Sequence, residues 1–185
     1  MASWHRAEAI AAKKYVCGYC GLSVASDKGW YTESAPQSFI CICPNCTGPT
    51  FLSPKEQIPG VAPGEDVSHL PDIIAALYRE ARRCIAAGAT TASVLASRKL
   101  LMHIAVAQGA KEGGTFMSYV EYLAANGYVP PNGKGWVDHI RKKGNEANHE
   151  IVLMSVEDAS ELIAFSEMLL KFIYEFPNRV PKGAK

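Results

Sequence analysis

The sequence lacks a long hydrophobic run, and this absence bears on where the chain works. Its first residues, MASWHRAEAIAAKKYVC, contain only a brief alanine-rich segment that charged residues interrupt. A secretory signal needs a longer apolar core, and a membrane-spanning helix needs about 20 predominantly apolar residues. The sequence therefore predicts a cytoplasmic protein that does not enter a membrane.

The chain also lacks an excess of charge of either sign. Its 19 Lys and Arg residues nearly balance its 18 Asp and Glu residues, so the formal net charge is +1 at pH 7. No global field then draws the protein onto nucleic acid or acidic lipid, and a basic function needs a local patch. Arg141, Lys142 and Lys143 form such a patch.

Three regions differ in composition along the chain. Five of the six cysteines lie in the first 46 residues. Residues 53–67 are rich in proline and glycine and show no periodicity, which is typical of a linker. In residues 68–185 the apolar residues recur at helical spacing. We therefore predict a small domain over residues 1–52, a linker over 53–67 and a helical domain over 68–185.

The helical region divides into about five predicted helices. Turn and capping residues mark their ends: Gly88 after the first, Gly109 after the second, Asn126 and Gly127 after the third, and Ser155 and Pro177 at the start and end of the fifth. The fourth is expected to begin near Gly135 or Trp136. The predicted fold class is mainly α, a helical bundle preceded by a small β domain.

Two cysteine pairs give the strongest chemical signal. CGYC contributes Cys17 and Cys20, and CPNC contributes Cys43 and Cys46. Two such knuckles about two dozen residues apart bring four thiolates to the corners of a tetrahedron, which is the arrangement that zinc accepts from sulfur. The intervening residues offer short strand-like runs between turn residues. The sequence therefore predicts a zinc ribbon with one structural Zn²⁺, since four sulfur ligands leave no open coordination position.

Cys41 is left over from this pattern. It lies two residues before Cys43 and is the alternative ligand at that corner. Cys43 keeps the two-residue spacing to Cys46, so we predict Cys43 as the ligand and assign Cys41 no role.

The segment HIRKKGNEANHE, residues 139–150, is the second candidate site. Arg141, Asn145 and His149 are spaced four residues apart, so a continuous helix places them on one shallow face. Lys142 and Lys143 fall beside that face. Such a strip is expected either in a binding or catalytic site, or in an interhelical hydrogen-bond network, and the spacing alone leaves both open.

At these residues the chain resembles the HEPN superfamily, and more closely its bacterial branch of uncharacterised domains with a GN-x-A-x-H signature. The penultimate helix carries Asn145 and His149, and the helices with YREARRCI and ASRKLLMHIA precede it. The resemblance covers roughly residues 68–176. It implies a HEPN-like helical bundle, a homodimer, and a setting in bacterial defence or stress response, often beside a zinc ribbon.

The resemblance also implies a site. In active members an arginine and a histidine cleave RNA without a metal, and His149 matches that histidine while Asn145 matches the polar position. Arg141 lies one residue outside the spacing of the family arginine, and Lys142 or Lys143, which lie within it, lack the bidentate guanidinium. We therefore expect no robust cleavage.

Three function classes follow. The first is a non-catalytic module that binds RNA, a nucleotide or a protein partner, the second is a metal-independent endoribonuclease that uses His149, and the third is a dimerisation module. His103, on the second predicted helix, is a further candidate for ligand binding.

Overall fold

The chain divides into two compact units. A computed structural model describes residues 4–35, 37–130, 135–138, 140 and 153–179. The first unit comprises Met1–Ala62 with Ala86–Gly88, and the second comprises Pro63–Ile85 with Ala89–Lys185. The cysteine pairs belong to the first unit and the predicted helices to the second.

The first unit is a five-stranded antiparallel sheet in which each strand pairs with the next along the chain. Its strands are β1 (Glu8–Val16), β2 (Ser23–Tyr31), β3 (Phe39–Ile42), β4 (Pro49–Leu52) and β5 (Gln57–Ile58). The connection from β1 to β2 and the connection from β3 to β4 each contain one cysteine pair. Because successive strands are antiparallel, these two connections lie at the same end of the sheet, and so do the two knuckles.

This sheet corrects the predicted fold class, because the chain is a mixed fold rather than mainly α. The sequence indicated only short strand-like runs, whereas β1 and β2 are each 9 residues long. A register shift between Ala9 and Lys13 interrupts the pairing of β1 with β2. Such a bulge breaks the strict alternation of buried and exposed residues, which weakens the period-two signal of a strand.

The second unit is helical. Its described helices are α1 (Asp72–Ala86), α2 (Thr90–Ala107), α3 (Phe116–Ala125) and α4 (Val156–Leu170), with a π-helical turn (Lys171–Glu175) and a short α5 (Phe176–Arg179) after α4. Residues 135–138 and 140 are helical as well, where a fourth helix was predicted to begin. The described part of the chain thus contains about five helices. Within the described ranges, none is long and apolar enough to cross a bilayer.

The predicted helix ends have clear physical causes. Gly88 lies two residues after the end of α1. At φ 74° it adopts a left-handed conformation that favours glycine and does not continue the helix. At the start of α4, the Ser155 side chain accepts a hydrogen bond from the Asp158 amide, and the Asp158 carboxylate accepts one from the Ser155 amide. This reciprocal capping box confirms the prediction that Ser155 marks the start of this helix.

α2 supplies the centre of the helical core. Leu100, Leu101 and Ile104 are fully buried, and α4 packs against the same core through Phe165 and Leu169. The described start of the predicted fourth helix joins this core, since its Val137 and Ile140 are buried. These two residues therefore attach the described start of that helix to the core.

Two large apolar residues at helical spacing are not buried. Ile73 on α1 and Leu95 on α2 belong to the apolar spacing of their helices, yet they are 72% and 59% exposed. The residues that cover the core on these helices are their neighbours Ile74 and Val94. Helical spacing alone could not distinguish the covered side of an apolar stripe from its uncovered edge.

The segment predicted as a linker carries structure of its own. It contains β5, and its last residues lie against α1 of the helical unit. The Nε and Nη2 atoms of Arg82 donate hydrogen bonds of 2.7 Å to the carbonyl oxygens of Pro63 and Gly64. These contacts hold residues 63–64 to the helical unit.

Candidate metal centre

The four cysteines of the two knuckles lie together. Each of their Sγ atoms is within 4.8 Å of the other three. The Sγ atoms of Cys17 and Cys46 are 3.7 Å apart, and those of Cys20 and Cys43 are 3.8 Å apart. Both of these pairs join one knuckle to the other.

These distances fit a tetrahedral metal ion. Sulfur ligands bind zinc at about 2.3 Å, and a tetrahedron of that radius has edges of about 3.8 Å. The separations of Cys17 from Cys46 and of Cys20 from Cys43 agree with that edge, and the other Sγ pairs lie within 4.8 Å. A disulfide would require about 2 Å between sulfur atoms. All six cysteines are free, so the cluster has the geometry of a metal site and not of a disulfide pair.

The first knuckle is a tight turn whose backbone bonds hold the sulfurs in place. The Gly21 amide donates to the Cys17 carbonyl at 2.8 Å, and the Cys17 amide donates to the Leu22 carbonyl at 2.9 Å. Gly21 has φ 72°, in the left-handed region that glycine adopts without strain. The glycine after the second cysteine therefore makes this turn without backbone strain.

The second knuckle repeats this arrangement. The Thr47 amide donates to the Cys43 carbonyl at 2.9 Å, and the Cys43 amide donates to the Gly48 carbonyl at 3.0 Å. Thr47 has φ 60°, a strained conformation for a β-branched residue. Its carbonyl accepts a 2.7 Å hydrogen bond from the indole of Trp4. This hydrogen bond from Trp4, which lies outside the knuckle, therefore stabilises the strained turn.

The environment of the cluster shifts the pKa of three of its thiols in different directions. Burial raises the pKa of Cys46 to about 12, and it raises the pKa of Cys17 as well. Burial also acts on Cys20, but hydrogen bonds from the Leu22 amide and from Asn45 outweigh it and lower the pKa of that thiol to about 7. A bound cation supplies the positive charge that stabilises thiolates in such a site.

Cys41 lies outside the cluster. It is fully buried on β3, where it pairs with Gly29 of β2 and Thr50 of β4. With Tyr15, Cys17 and Cys43 it forms the buried core of the first unit. Its role is that of a small apolar side chain in the sheet.

The predicted strip on the motif segment lies outside the described residues. Arg141, Lys142, Lys143, Asn145 and His149 all fall in the range 141–152, so their common face stays a prediction. His103 is described, and it is exposed on α2.

Two surfaces of the protein were not predicted from the sequence. One is a row of apolar side chains across the sheet, and the other is a groove between α1 and α2 that His103 helps to line. The row follows from the register between strands, which the sequence does not show. The groove had a signal in the spacing of Ala92, Ala96, Lys99 and His103 along one side of α2.

Comparison with protein families found one match. A family model described as "Domain of unknown function (DUF4145)" matches residues 79–185, which is more than half of the chain and includes most of the helical unit. Comparison with curated proteins and with solved structures found no match.

Proposed function

We propose a function for this chain, which belongs to the DUF4145 family. It is a non-catalytic binding module with a zinc ribbon and a HEPN-like helical domain. Its ligand is RNA, a nucleotide or a protein partner, in bacterial defence or a stress response. The observation that carries the proposal is the tetrahedral spacing of the four Sγ atoms. No function is assigned to the family by its description.

Zinc is the metal that this donor set favours. Cys17, Cys20, Cys43 and Cys46 would be its ligands, and four thiolates in a tetrahedron suit Zn²⁺. Such a closed site holds a small fold together and does not activate a water molecule. The metal then stabilises the fold of the ribbon. Any ligand of the ribbon has to bind to its exposed surface.

A row of apolar side chains on one face of the sheet supports RNA as the ligand. Trp30, Ile40, Phe51 and Ile58 occupy directly paired positions on four consecutive strands. Ile40 and Ile58 are exposed, and Trp4 extends the row through an edge-to-face contact with Trp30 at 5.8 Å between ring centroids. Aromatic side chains of this kind stack on unpaired bases without sequence preference.

Cations beside the row support the same ligand. Lys28 lies two residues before Trp30 on β2, and the Arg6 carbonyl accepts a 2.9 Å hydrogen bond from the Trp30 indole. Both cationic residues are exposed. Cations at the edge of a stacking surface bind the phosphates of a single strand and make its affinity depend on salt.

The test is binding of a fluorescent single-stranded RNA 12-mer to the zinc-loaded protein, followed by anisotropy. Trp30→Ala should weaken binding by about tenfold, because each stacked base contributes roughly 1–3 kcal/mol. Tyr31→Ala is the matched control, since this exposed aromatic residue pairs with Phe39 on the opposite face. Lys28→Gln should reduce the slope of affinity against salt by about one.

Equal losses in the Trp30 and Tyr31 variants, with unchanged thermal midpoints, would remove the support for this surface. Absence of RNA binding by the wild-type protein at low salt would exclude RNA as the ligand. A nucleotide or a protein partner would then remain.

The second candidate is the endoribonuclease, which the resemblance of the segment around His149 favours. His149 would exchange a proton with a ribose hydroxyl or the leaving oxygen, and Arg141 or a neighbouring lysine would hold the phosphate charge. The shifted position of Arg141 makes us rank this below the binding module.

We also propose that the helical domain forms a homodimer with its motif helices close to the two-fold axis. Gly144 has no side chain and would permit close approach of the two backbones there. Light scattering should give twice the chain mass at micromolar concentration, and a monomeric mass would contradict the proposal.

A further inference from the structure

The four clustered sulfurs differ in their exposure to solvent. Cys17 and Cys43, the first cysteine of each knuckle, are fully buried, whereas Cys20 and Cys46, the second cysteine of each, are partly exposed. The two buried residues belong to the core of the sheet unit. A small solute can therefore reach one sulfur of each knuckle but not the other.

The packing around the first knuckle explains this difference. The backbone at Gly18 lies so close to the carbonyl oxygens of Pro59 and Gly60 that any side chain there would collide with them. The Nε2 atom of Gln57 donates a 2.7 Å hydrogen bond to the Val16 carbonyl. The first half of the knuckle is therefore covered by β5 and the two residues after it, while its second half is left open.

The two knuckles are packed directly against each other. The ring of Tyr19, in the first knuckle, lies against Gly48, which follows the second, and a side chain at Gly48 would collide with that ring. The turn of the second knuckle is held by the hydrogen bond from Trp4 to Thr47. Small movements of the cysteine side chains are therefore enough to join sulfurs of the two turns.

Each exposed sulfur faces a buried sulfur of the other knuckle. The Sγ atoms of Cys20 and Cys43 are 3.8 Å apart, those of Cys46 and Cys17 are 3.7 Å apart, and in both pairs either thiol can donate a hydrogen bond to the other. A disulfide has about 2 Å between its sulfur atoms, so each pair has to close by less than about 2 Å. Each pair thus combines an accessible sulfur with a covered sulfur that is positioned to react with it.

We propose that Cys20 and Cys46 are oxidant-reactive residues, and that a peroxide converts the cluster into the disulfides Cys20–Cys43 and Cys46–Cys17. The Cys20 thiolate attacks a peroxide oxygen, the O–O bond breaks and hydroxide leaves, so that this sulfur becomes a sulfenic acid. The Cys43 thiolate then attacks that sulfur, the S–S bond forms and a second hydroxide leaves. Two electrons pass from the two sulfurs to one peroxide, and a second peroxide oxidises the other pair in the same way.

This oxidation would remove the ligands of the proposed zinc site. One disulfide leaves two thiolates, fewer than the four ligands of a structural site. The core of the sheet unit consists of Tyr15 and three cysteines, so the sheet that carries Trp30 would lose its order together with the metal. The inference rests on the zinc ribbon of the proposed function, and it adds that a peroxide turns off RNA binding by the ribbon.

The experiment exposes the zinc-loaded full chain to hydrogen peroxide. A metal-binding dye follows the zinc, and mass spectrometry of the alkylated and digested protein identifies the disulfides. We expect zinc release together with the Cys20–Cys43 and Cys46–Cys17 disulfides, and recovery of zinc and RNA binding after dithiothreitol and zinc are added. The matched control is the Cys41→Ser/Cys84→Ser variant, which keeps the four clustered cysteines and should release zinc at the wild-type rate.

A histidine variant tests which sulfurs react with the peroxide. Zinc also accepts two cysteines and two histidines, so Cys20→His/Cys46→His keeps four possible ligands and removes both exposed thiolates. Peroxide should release zinc from this variant at least about tenfold more slowly than from the wild-type protein, because reactivity follows exposure of the thiolate. If the variant does not hold zinc, the disulfides of the wild-type protein decide.

Disulfides within a knuckle, zinc that stays bound under peroxide, or equal release from the wild-type protein and a zinc-bound histidine variant would overturn the inference. Zinc content and RNA binding are measured before oxidation as well. A zinc-free untreated protein would contradict the ribbon and this inference together. An untreated protein that holds zinc but binds no RNA would contradict only the proposed ligand, and the disulfides and the zinc release would still decide on the oxidation.

Discussion

Cys41 and Cys43 show how two neighbouring residues of one type acquire different roles. Both are fully buried, but Cys41 lies within β3 and Cys43 follows its end, where the chain turns into the second knuckle. Only Cys43 brings its Sγ close to those of the other knuckle. The spacing to Cys46 was enough to predict this, because a two-residue separation determines the local turn.

Cys43→Ser should lose the metal, and Cys41→Ser should retain it. The first change removes one of four proposed ligands, whereas the second replaces a buried thiol that lies outside the cluster. Zinc per chain, measured after purification without chelator, should be one for the wild-type protein and for Cys41→Ser. Halved zinc in Cys41→Ser would show that the ligand set is wrong.

Substitution of His149 distinguishes RNA binding from RNA cleavage. We expect the wild-type protein not to cleave RNA in the absence of metal, because Arg141 lies outside the arginine spacing of the active HEPN domains that the segment resembles. Arg141→Ala or Lys142→Ala should then weaken RNA binding and lower its salt dependence. Metal-independent cleavage that disappears in His149→Ala, with an unchanged thermal midpoint, would instead establish the ribonuclease.

If the strip is architectural, Asn145→Ala and His149→Ala should each destabilise the fold or the dimer by ~1–3 kcal/mol, since a buried partner would lose its hydrogen bond. Denaturant unfolding of these variants separates that result from a loss of activity alone.

At the scale of elements, local chemistry determines where the helices begin and end. Thr115 caps α3 by accepting a hydrogen bond from the Ser118 amide at 3.2 Å, and Ser155 caps α4. Both begin helices that the sequence predicted. The strands were predicted less well, since pairing between strands depends on distant residues and the bulge in β1 disturbs the local pattern.

Ser155→Ala should destabilise the helical unit by about 1 kcal/mol, because the first turn of α4 loses its side-chain acceptor. Ser160→Ala, inside the same helix, is the matched control and should change the free energy of unfolding by less than about 0.5 kcal/mol. Urea unfolding followed by circular dichroism at 222 nm measures both. Equal effects of the two changes would show that the capping box adds no stability.

At the scale of the whole molecule, the two units differ in what stabilises them. The helical unit has a large apolar core, whereas the buried core of the sheet unit consists of Tyr15 and three cysteines. So small a core rarely folds alone, and a metal held by the four clustered cysteines would supply the missing stabilisation. The cysteine cluster is therefore part of the core of the sheet unit.

Removal of the metal should unfold the sheet unit and leave the helices intact. Trp4 and Trp30 lie in the sheet unit, and Trp136 contacts Phe165 in the helical unit. A strong chelator should shift the emission of the first two tryptophans to longer wavelength while the signal at 222 nm stays within about a tenth of its value. A Trp136→Phe variant isolates the sheet signal, and unchanged emission from it would contradict a structural role for the metal.

The sequence by itself determined the features that depend on neighbouring residues. These are the two knuckles, the capping box at Ser155 and the approximate helix ends, because turn and cap geometry are local. Only the tertiary structure decided the row that contains Trp30 and the groove that exposes Ile73 and Leu95. The register of paired strands and the covering of one side of a helix depend on residues far apart in the chain. Periodicity identifies an apolar residue, but only packing determines whether it is covered.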